Sequence, residues 1–296
     1  MQQVAATTKI WMDGEFVPTD GASISVFDHG LLYGDGCFEG IRVYNGRILK
    51  LRSHVERIFE SAAAIRLQPG YCIEEIEEAI RETVAVNDRQ DGYIRLVFTR
   101  GKGTLGLNPF LCPKATVFII AEKIKLYPDE MYDEGMSIIV AKRPRVPIAC
   151  LDPQVKSLNY LNNILAKIEA IDAGVLEALM LNCDGEVAEC TGDNIFIIKD
   201  GKISTPHHEA GILGGITRQF VIDEIAPALG YEVVERSISL EEVRSADEVF
   251  LTGTAAEVIG VSHIGHAAVG SGKVGVITKT LEEEFRRRVA TDAPED

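Results

Sequence analysis

Four turn signals constrain the fold of this 296-residue chain more than any other feature. Asp-Gly or Asn-Gly pairs stand between β-type runs at 13–14, 45–46, 184–185 and 200–201. Each pair predicts a two-residue type I′ turn, because both central residues of that turn need a positive φ. The turns lie in both halves of the chain. The sequence therefore predicts antiparallel strands in both halves and excludes a purely parallel, doubly wound sheet.

Helical and strand patterns alternate along the whole chain, which predicts an α/β or α+β fold. Helices are predicted at 53–67, 73–86, 157–173, 217–229 and 276–290. Strands are predicted at 93–98, 115–121, 137–141, 178–182, 187–190, 194–198 and 247–251. Capping boxes of the S-x-x-E type, Ser53 with Glu56 and Ser239 with Glu242, are expected to begin two helices.

The polar stretch 125–135, which contains Pro128, is the predicted link between two domains. It separates a small α/β domain at 1–124 from a larger domain at 136–296.

The charge balance excludes several classes of partner. The chain carries 45 acidic and 30 basic residues, a formal net charge of −15, so binding to nucleic acid or to an anionic membrane is not expected. No apolar run approaches the ~20 residues of a membrane span, and the first residues lack the pattern of a signal peptide. Six cysteines without a Cys-x-x-Cys pair predict free thiols and a cytoplasmic protein, and no metal site is predicted.

Two Gly-x-Gly-x-x-Gly matches, at 101–106 and 270–275, fail as dinucleotide sites. The fingerprint needs a preceding strand and a helix that begins inside it. Pro109 and Pro113 prevent that helix after the first match, and the second match lies too near the C-terminus for a βαβ unit. A nicotinamide or flavin enzyme is therefore not expected.

Four short segments carry groups that would suit a reactive amine or a bound anion. Lys156 precedes a predicted helix, where a solvated loop lysine is the plain alternative. Glu189 lies on a predicted strand, where it could face outward or could be buried beside a cation. The segments 213–218 and 252–257 place glycines and hydroxyls at a helix start and at a strand end. Either segment is an anion cradle or an ordinary capped turn.

Taken together, these segments supply an amine, a carboxylate and two anion cradles. This set matches what pyridoxal 5′-phosphate (PLP) needs from a protein: a lysine for the aldehyde, an acid for the pyridine nitrogen, and N–H and hydroxyl donors for the phosphate. Each segment alone is a weak signal, and the combination favours a PLP enzyme.

The same segments carry a family resemblance that extends from about Ile10 to the closing helix. The matching motifs, in chain order, are DHGLLYGDG at 28–36, FEGIR at 38–42, HVER at 54–57, YIR at 93–95, the segment around Lys156, Glu189, GIT at 215–217 and TGTAAE at 252–257. In these motifs the chain resembles the class IV (fold type IV) PLP-dependent aminotransferases, most closely the branched-chain amino acid aminotransferases. The resemblance implies a small N-terminal α/β domain, a larger C-terminal mixed α/β pseudo-barrel domain, and PLP in the cleft between them.

The resemblance also implies roles for individual residues toward the cofactor. Lys156 would form the Schiff base with PLP and shuttle the proton during transamination. Glu189 would pair with the pyridine nitrogen, and Tyr160 with the phenolic oxygen. The phosphate would be held by Arg57, Gly215, Ile216, Thr217, Gly253 and Thr254.

Substrate roles follow from the same resemblance. The pocket must accept the apolar side chain of leucine, isoleucine or valine and also the γ-carboxylate of glutamate, with 2-oxoglutarate as the amino acceptor. Arg95 would meet the γ-carboxylate, and Tyr127 could close the pocket. The apolar walls would be Tyr33, Phe38 and Tyr93, and the α-carboxylate would be bound by the amides of Ala255 and Ala256.

The spacing between Lys156 and Tyr160 departs from many family members by one residue and lacks their Gly-Gly. The Lys-Ser-Leu-Asn form also resembles D-amino acid transaminases and aminodeoxychorismate lyases. A D-amino acid or broad R-selective amine transaminase and an aminodeoxychorismate lyase therefore stay open as alternatives. The Tyr93-x-Arg95 pair favours the L-branched-chain subfamily. Small-molecule amino acids and 2-oxo acids are the expected ligands, and a homodimer or larger homo-oligomer is the expected assembly.

Overall fold

A computed structural model describes residues 8–123 and 127–292 of the chain. By its internal contacts the chain divides into two compact units. The first consists of Met1–Ile124, Val155–Asn159 and Val289–Asp296, and the second of Lys125–Gln154 and Tyr160–Arg288. The predicted domains at 1–124 and 136–296 differ from these units at 155–159 and 289–296, which belong to the first unit, and at the predicted linker 125–135, which belongs to the second. The domain boundaries themselves stay a prediction.

The first unit contains an antiparallel sheet of six strands in the order β2-β1-β6-β5-β3-β4. Its strands are β1 (Lys9–Met12), β2 (Glu15–Pro18), β3 (Gly36–Tyr44), β4 (Arg47–Ile48), β5 (Gly92–Thr99) and β6 (Thr116–Glu122). Its helices are α1 (His29–Tyr33), α2 (Leu51–Ala64) and α3 (Ile73–Val86). The apolar faces of α2 and α3, including Val55, Ile58, Ile76 and Ile80, form one core with the inner faces of β3, β5 and β6.

The second unit contains a mixed sheet of nine strands, ordered β12-β11-β10-β13-β14-β7-β8-β9 with β15 beside β14. Its strands are β7 (Met136–Val140), β8 (Glu177–Leu181), β9 (Val187–Cys190), β10 (Asn194–Lys199), β11 (Lys202–Thr205), β12 (Val233–Glu235), β13 (Glu248–Gly253), β14 (Glu257–Ile264) and β15 (Ala267–Ala268). Its helices are α4 (Glu130–Glu134), α5 (Leu161–Asp172), α6 (Ile216–Phe220), α7 (Ala226–Ala228), α8 (Leu240–Ser245) and α9 (Val276–Asp292), the last of which continues into residues of the first unit. No helix within 8–123 or 127–292 is long and apolar enough to cross a membrane.

Three of the four predicted hairpin turns are confirmed. Both central residues have positive φ at Asp13-Gly14, Asn45-Gly46 and Asp200-Gly201, which join β1 to β2, β3 to β4 and β10 to β11. At 184–185 only Gly185 has a positive φ. The side chain of Asn182 there accepts the N–H groups of Asp184 and Glu186, and this stabilises a longer turn.

Two predicted helix starts are wrong. Helix α2 begins at Leu51, two residues before the predicted box, with Lys50 at its N-cap and no side-chain cap. Helix α5 begins at Leu161 and not at 157. The N–H of Leu158 donates to the carbonyl of Gly36, so pairing with β3 keeps this segment extended and overrides its helical pattern.

The predicted helix at 217–229 is present but not regular. Residues Val221–Ile225 form a π-helical turn between α6 and α7. Pro227 follows at once and has no N–H to give to the preceding turn, so the α-helical ladder cannot continue unbroken. The capping box of Ser239 with Glu242 is confirmed at the start of α8.

The predicted linker 125–135 is in part a structured piece of the second unit. Positions 125 and 126 lie outside the described residues. From 127 onward the stretch contains α4, and the side chains of Tyr127 and Tyr132 are buried in the core of the second unit.

Candidate active site

The backbone around Lys156 is held firmly within the first unit. The N–H of Phe38 on β3 donates to the carbonyl of Lys156 at 3.0 Å, and the N–H of Lys156 donates to Oγ of Ser61 on α2 at 3.1 Å. A β-bridge between Cys37 and Ser157 continues this pairing. Both backbone groups of Lys156, its N–H and its carbonyl, are therefore hydrogen-bonded to neighbouring elements, unlike those of a solvated loop lysine.

The ring of Phe38 lies beneath two cations. The Nζ of Lys156 is 5.0 Å from the ring centroid, and the guanidinium carbon of Arg95 is 4.4 Å from the same centroid. Arg95 also lies 5.5 Å from the centroid of Tyr93. Gly40 lies on β3, beside the strand β5 that carries Tyr93. A Cβ on Gly40 would come within 1.8 Å of the Tyr93 hydroxyl, so only glycine leaves room for that ring. The first unit thus combines an amine, an arginine and two aromatic faces in one place.

Arg57 does not stand alone, because it forms an ion pair with the fully buried Glu39. The Nε of Arg57 lies 2.7 Å from one carboxylate oxygen and its Nη2 lies 2.9 Å from the other. The Glu39 carboxylate also contacts His54, whose Nδ1 lies 2.7 Å from Oε2 of Glu39. Burial opposes ionisation of Glu39, but Arg57 and His54 outweigh it and hold the pKa of this carboxyl well below its usual range. Burial is the largest influence on His54 and lowers the pKa of its imidazole.

Tyr33, predicted as an apolar wall, lies at the end of α1. Its hydroxyl accepts the N–H of Gly106 at 2.9 Å, and its ring meets the edge of His29 at 4.9 Å. It is 36% exposed, so its ring is available to a ligand or to another chain.

The carboxylate of Glu189 on β9 is buried in the second unit and fully engaged. The Nε of Arg145 lies 2.8 Å from Oε1, while Oε2 accepts from Nδ2 of Asn194 at 3.2 Å and from the N–H of Leu213 at 2.9 Å. Arg145 also donates to Asn163 at 3.1 Å. Of the two interpretations that the sequence left open, the buried carboxylate with a cationic partner is the one observed.

The glycine-rich segment before α6 is shaped by Asn194. A Cβ on Gly215 would lie 2.0 Å from Oδ1 of Asn194, so this N-cap position must be glycine. Among the described residues no side chain caps α6, which leaves the N–H groups of Ile216 and Thr217 available to a bound anion. Nδ2 of Asn194 also donates to the carbonyl of Leu213.

The β13–β14 turn provides the second cradle. Thr252 pairs in register with Asn194, and its Oγ1 is buried without a hydrogen-bond partner in the described part of the chain. A Cβ on Gly253 would come within 2.1 Å of Oδ1 of Asp193. The turn residues Thr254, Ala255 and Ala256 follow, and the carbonyl of Ala256 accepts the Tyr132 hydroxyl at 3.1 Å.

The side chain of Tyr127 is buried in the second unit. Its hydroxyl lies 3.0 Å from Oδ2 of Asp193 and 3.4 Å from Oε2 of Glu177, deep in the second unit. Burial and the neighbouring charge of Glu177 raise the pKa of Asp193 to about 8. That Tyr127 closes a substrate pocket stays a prediction.

Tyr160 is the N-cap residue of α5 and is half-buried in the second unit. The structure thus brings Glu189, the segment at 215–217 and the turn at 253–256 together within the second unit. It brings Lys156, Phe38, Tyr93 and Arg95 together within the first unit.

The groups present fit PLP. They include a lysine amine, a buried carboxylate paired with an arginine, uncapped helix N–H groups and a buried hydroxyl without a hydrogen-bond partner among the described residues. Arg145 and Asn194 around Glu189, and Glu39 and His54 around Arg57, were not assigned roles from the sequence. The requirement for a cation beside a buried Glu189 could have prompted a search for Arg145, but no local pattern marks it.

Residues 36–264 match the family described as amino-transferase class IV. The chain is a class IV aminotransferase. The prediction of the family is thereby confirmed.

Related proteins of similar length carry a common name. The chain is 47% identical over 278 residues to a putative branched-chain-amino-acid aminotransferase of Methanocaldococcus jannaschii, covering 94% of this chain and 95% of that protein. It is 38% identical to the branched-chain-amino-acid aminotransferase of Pseudomonas aeruginosa, covering 93% and 91% of the two chains.

Solved structures of this family share the fold. A T.th. branched-chain amino acid aminotransferase with pyridoxamine 5′-phosphate superposes with a TM-score of 0.93 at 40% identity, covering 99% of this chain and 97% of that one. The Escherichia coli enzyme superposes with a TM-score of 0.92 at 33% identity, covering 95% and 94%. The predicted fold type IV architecture is confirmed, and these neighbours support the predicted PLP cofactor of this aminotransferase.

Proposed function

We propose that this aminotransferase transfers the amino group of L-leucine, L-isoleucine or L-valine to 2-oxoglutarate, with PLP carried on Lys156. The observation that carries the proposal is the Phe38 ring, which has the Lys156 amine at 5.0 Å and the Arg95 guanidinium at 4.4 Å. Aromatic surface suits a branched aliphatic side chain, and a guanidinium beside it suits a γ-carboxylate. One pocket can therefore accept both substrates in turn. The names of the relatives and structural neighbours support the same substrate class.

Lys156 acts first as the amine that holds the cofactor and then as the base that moves a proton. When bound, PLP supplies an electron sink that stabilises negative charge at the substrate Cα. The fixed backbone of Lys156 limits where its Nζ can reach, so the amine stays aligned for proton removal at Cα and return. The Phe38 ring beneath the Nζ keeps water from one side of it.

Glu189 is assigned to the pyridine nitrogen. Arg145, Asn194 and the N–H of Leu213 donate hydrogen bonds to its carboxylate and fix its orientation. An ionised, immobile carboxylate keeps a ring nitrogen protonated, which increases the electron demand of the ring.

The phosphate is assigned to Arg57, to the N–H groups of Gly215, Ile216 and Thr217, and to Gly253 and Thr254. Glu39 fixes the Arg57 guanidinium from one side. Uncapped N–H groups at a helix start attract an anion without any further charged group. The amides of Ala255 and Ala256 are assigned to the substrate α-carboxylate, Tyr160 to the phenolic oxygen, and Tyr33 and Tyr93 to the pocket walls.

A cytoplasmic homodimer is the proposed working unit. Large apolar side chains are exposed on two adjoining segments of the first unit: Val26, Phe27, Leu31, Leu32, Leu105 and Leu107. The N–H of Gly103 donates to the carbonyl of Phe27, so the two segments form one surface. A surface of this kind typically meets another protein chain.

The test is a half-reaction on the PLP-loaded protein. L-Leucine is added without any oxo acid, and the absorption band of the bound cofactor is followed. We expect conversion to the pyridoxamine form, no change with D-alanine, and recovery on addition of 2-oxoglutarate. Conversion by D-alanine alone would reject the L-branched-chain assignment, and pyruvate release from aminodeoxychorismate would indicate the lyase.

The assignment of Lys156 is tested in the same assay. Lys156→Ala should abolish the band and the conversion, whereas Lys202→Ala, an exposed lysine on a hairpin of the second unit, should leave both unchanged. Wild-type turnover by Lys156→Ala would end the proposal.

A further inference from the structure

Asp193 packs against the turn at 253–256, the second of the two anion cradles. Its side chain is only 6% exposed, and its Oδ1 lies 2.1 Å from the position that a Cβ on Gly253 would occupy. Because a C–C bond measures ~1.5 Å, this oxygen is within about 4 Å of the Cα of Gly253. A charge on Asp193 therefore acts at short range on any anion that the turn binds.

The Asp193 carboxyl shares one hydroxyl group with a second buried carboxyl. The Tyr127 hydroxyl lies 3.0 Å from Oδ2 of Asp193 and 3.4 Å from Oε2 of Glu177. A hydroxyl has a single proton, so it can donate to one of these carboxyls and must accept from the other. All three groups are satisfied when a protonated Asp193 donates to Tyr127 and Tyr127 donates to Glu177.

The other contacts of the two carboxyls indicate which of them holds the proton. Oε1 of Glu177 accepts the N–H groups of Ala178 and Thr191 and the Thr191 hydroxyl, and Nζ of Lys167 lies 3.3 Å from Oε2. Within 8–123 and 127–292 no basic side chain forms an ion pair with Asp193. Burial and the charge of Glu177 raise the pKa of Asp193 to about 8. The geometry and the electrostatics both assign the proton to Asp193.

Further titratable groups face Asp193 from the neighbouring elements. Glu189 and Cys190 lie on β9, Lys167 lies on α5, and Tyr127 precedes α4. Lys167 and Tyr127 favour the charged form of Asp193, and Glu189 opposes it. Burial raises the pKa values of the Cys190 thiol and the Tyr127 hydroxyl, so both stay neutral near pH 8. Asp193 is therefore a group of this cluster whose charge changes just above neutral pH.

We propose that Asp193 is a positioning residue that sets the anion affinity of the turn at 253–256. In its neutral form it supports Gly253 and adds no charge to the turn, whose N–H groups attract a phosphate or a carboxylate. In its ionised form it adds a negative charge beside the turn and repels the bound anion. Repulsion between charges this close and partly shielded from water is sufficient to raise the Kd about ten-fold. The proposal rests on the proposed assignment of this turn to anions.

The pH profile of anion binding tests this role. The PLP-loaded wild type and Asp193→Asn are titrated with 4-methylpentanoate, which keeps one negative charge from about pH 6 to about pH 9.5. The ratio of the wild-type Kd to the Asp193→Asn Kd should be close to one near pH 6.5 and about ten near pH 9.5. Titrations that both proteins share cancel in this ratio. Asp184→Asn, at an exposed acid in another turn of the second unit, is the matched control and should follow the wild type.

Two further measurements separate charge from structure. The uncharged 4-methylpentanamide has the same side chain, so its Kd ratio should stay close to one at every pH. Glu177→Gln has the opposite sign, because Asp193 then ionises at lower pH, and its Kd for 4-methylpentanoate near pH 7 should exceed that of the wild type. A ratio for the carboxylate that does not change with pH, or an equal change with the amide, would overturn the role of Asp193.

Cofactor affinity separates this role from the proposed substrate. The Kd for PLP is measured for the same variants after removal of the cofactor. The ratio of wild type to Asp193→Asn should again rise about ten-fold over this pH range, because Gly253 and Thr254 are assigned to the phosphate. A chain that shows this rise but binds neither methylpentanoate nor the amide would lose the branched-chain assignment and keep the role of Asp193. A constant ratio for PLP in such a chain would reject both.

Discussion

At the residue scale, three buried carboxylates of this aminotransferase, Glu39, Glu189 and Asp193, have contrasting surroundings. Glu39 and Glu189 each have an arginine within 2.8 Å, Arg57 and Arg145 respectively. Removing one partner of such a buried pair typically costs about 3–5 kcal/mol, because the remaining charge is left uncompensated. Asp193 lies instead beside a second carboxylate, Glu177, which opposes its ionisation.

The Asp193 environment makes stability depend on pH. Its pKa is about 8 in the folded protein, against an ordinary value of 3.8, because of burial and the charge of Glu177. The folded state therefore holds one more proton than the unfolded chain between about pH 4 and pH 8, and this contribution to stability is lost as pH rises through that range. Asp193→Asn mimics the protonated acid, so the stability of this variant should not fall for this reason as the pH rises.

We expect Asp193→Asn to have a higher melting temperature than the wild type, by a margin that is small near pH 5 and grows toward pH 8. The measurement is thermal unfolding of both proteins across this range at constant ionic strength. Lys167, Tyr127, Cys190 and Glu189 are the other groups near Asp193, and they are present in both proteins. A difference that stays constant with pH would show that Asp193 does not titrate there.

Arg95 should discriminate between the two half-reactions. Arg95→Gln keeps a polar chain over Phe38 but removes the charge that would meet the γ-carboxylate. The glutamate half-reaction should lose about 2 to 3 kcal/mol, or roughly 30- to 160-fold in kcat/KM, while the leucine half-reaction changes little. Phe38→Leu is the comparison, since it should weaken both. Equal losses in Arg95→Gln would remove Arg95 from this role.

At the element scale, Asn194 joins three parts of the candidate site. Its side chain donates to Glu189 and to the carbonyl of Leu213, and its position on β10 faces Thr252 on β13. The start of α6 is set by the same side chain, because Gly215 passes against its amide oxygen. One strand therefore positions the carboxylate, the helix start and the turn.

Gly215→Ala should disturb this arrangement without unfolding the chain. The new Cβ would lie 2.0 Å from Oδ1 of Asn194, so the amide must move and the helix start with it. We expect the Kd for PLP to rise about ten-fold or more, which is about 1.4 kcal/mol. Gly192→Ala is the matched control, because a Cβ there meets nothing within 4 Å. PLP affinity that stays at the wild-type level in Gly215→Ala would contradict the assignment of the phosphate.

At the scale of the whole molecule, bound cofactor should raise the stability of the chain. A ligand that binds only the folded state stabilises it by about 2.7 kcal/mol at 100 times its Kd. Removing PLP should therefore lower the melting temperature by about 5 to 10 °C, and adding PLP back should restore it. Pyridoxal without its phosphate should restore much less, because the cradles at 215–217 and 252–256 would stay empty. Full recovery with pyridoxal would argue against these cradles.

The sequence by itself determined the features that neighbouring residues decide. The helix at Ile73–Val86 has the predicted bounds, and the turns at Asn45-Gly46 and Asp200-Gly201 have the predicted conformation. The motifs around Lys156 and Glu189 were sufficient to predict the family. Local geometry and ordered motifs can be read from one stretch of chain at a time.

Only the tertiary structure decided which distant groups meet. Arg145 lies 44 positions from Glu189, and Ser61 lies 95 positions from Lys156, so no spacing rule relates them. Helix α5 begins only at Leu161 because the backbone of the preceding residues is hydrogen-bonded to β3. The hydroxyl of Tyr127 contacts the carboxylates of Asp193 and Glu177, and no local sequence pattern indicates these partners. Each outcome depends on hydrogen bonds and burial that exist only once the chain has folded, since a buried polar group must find its partner wherever the fold places one.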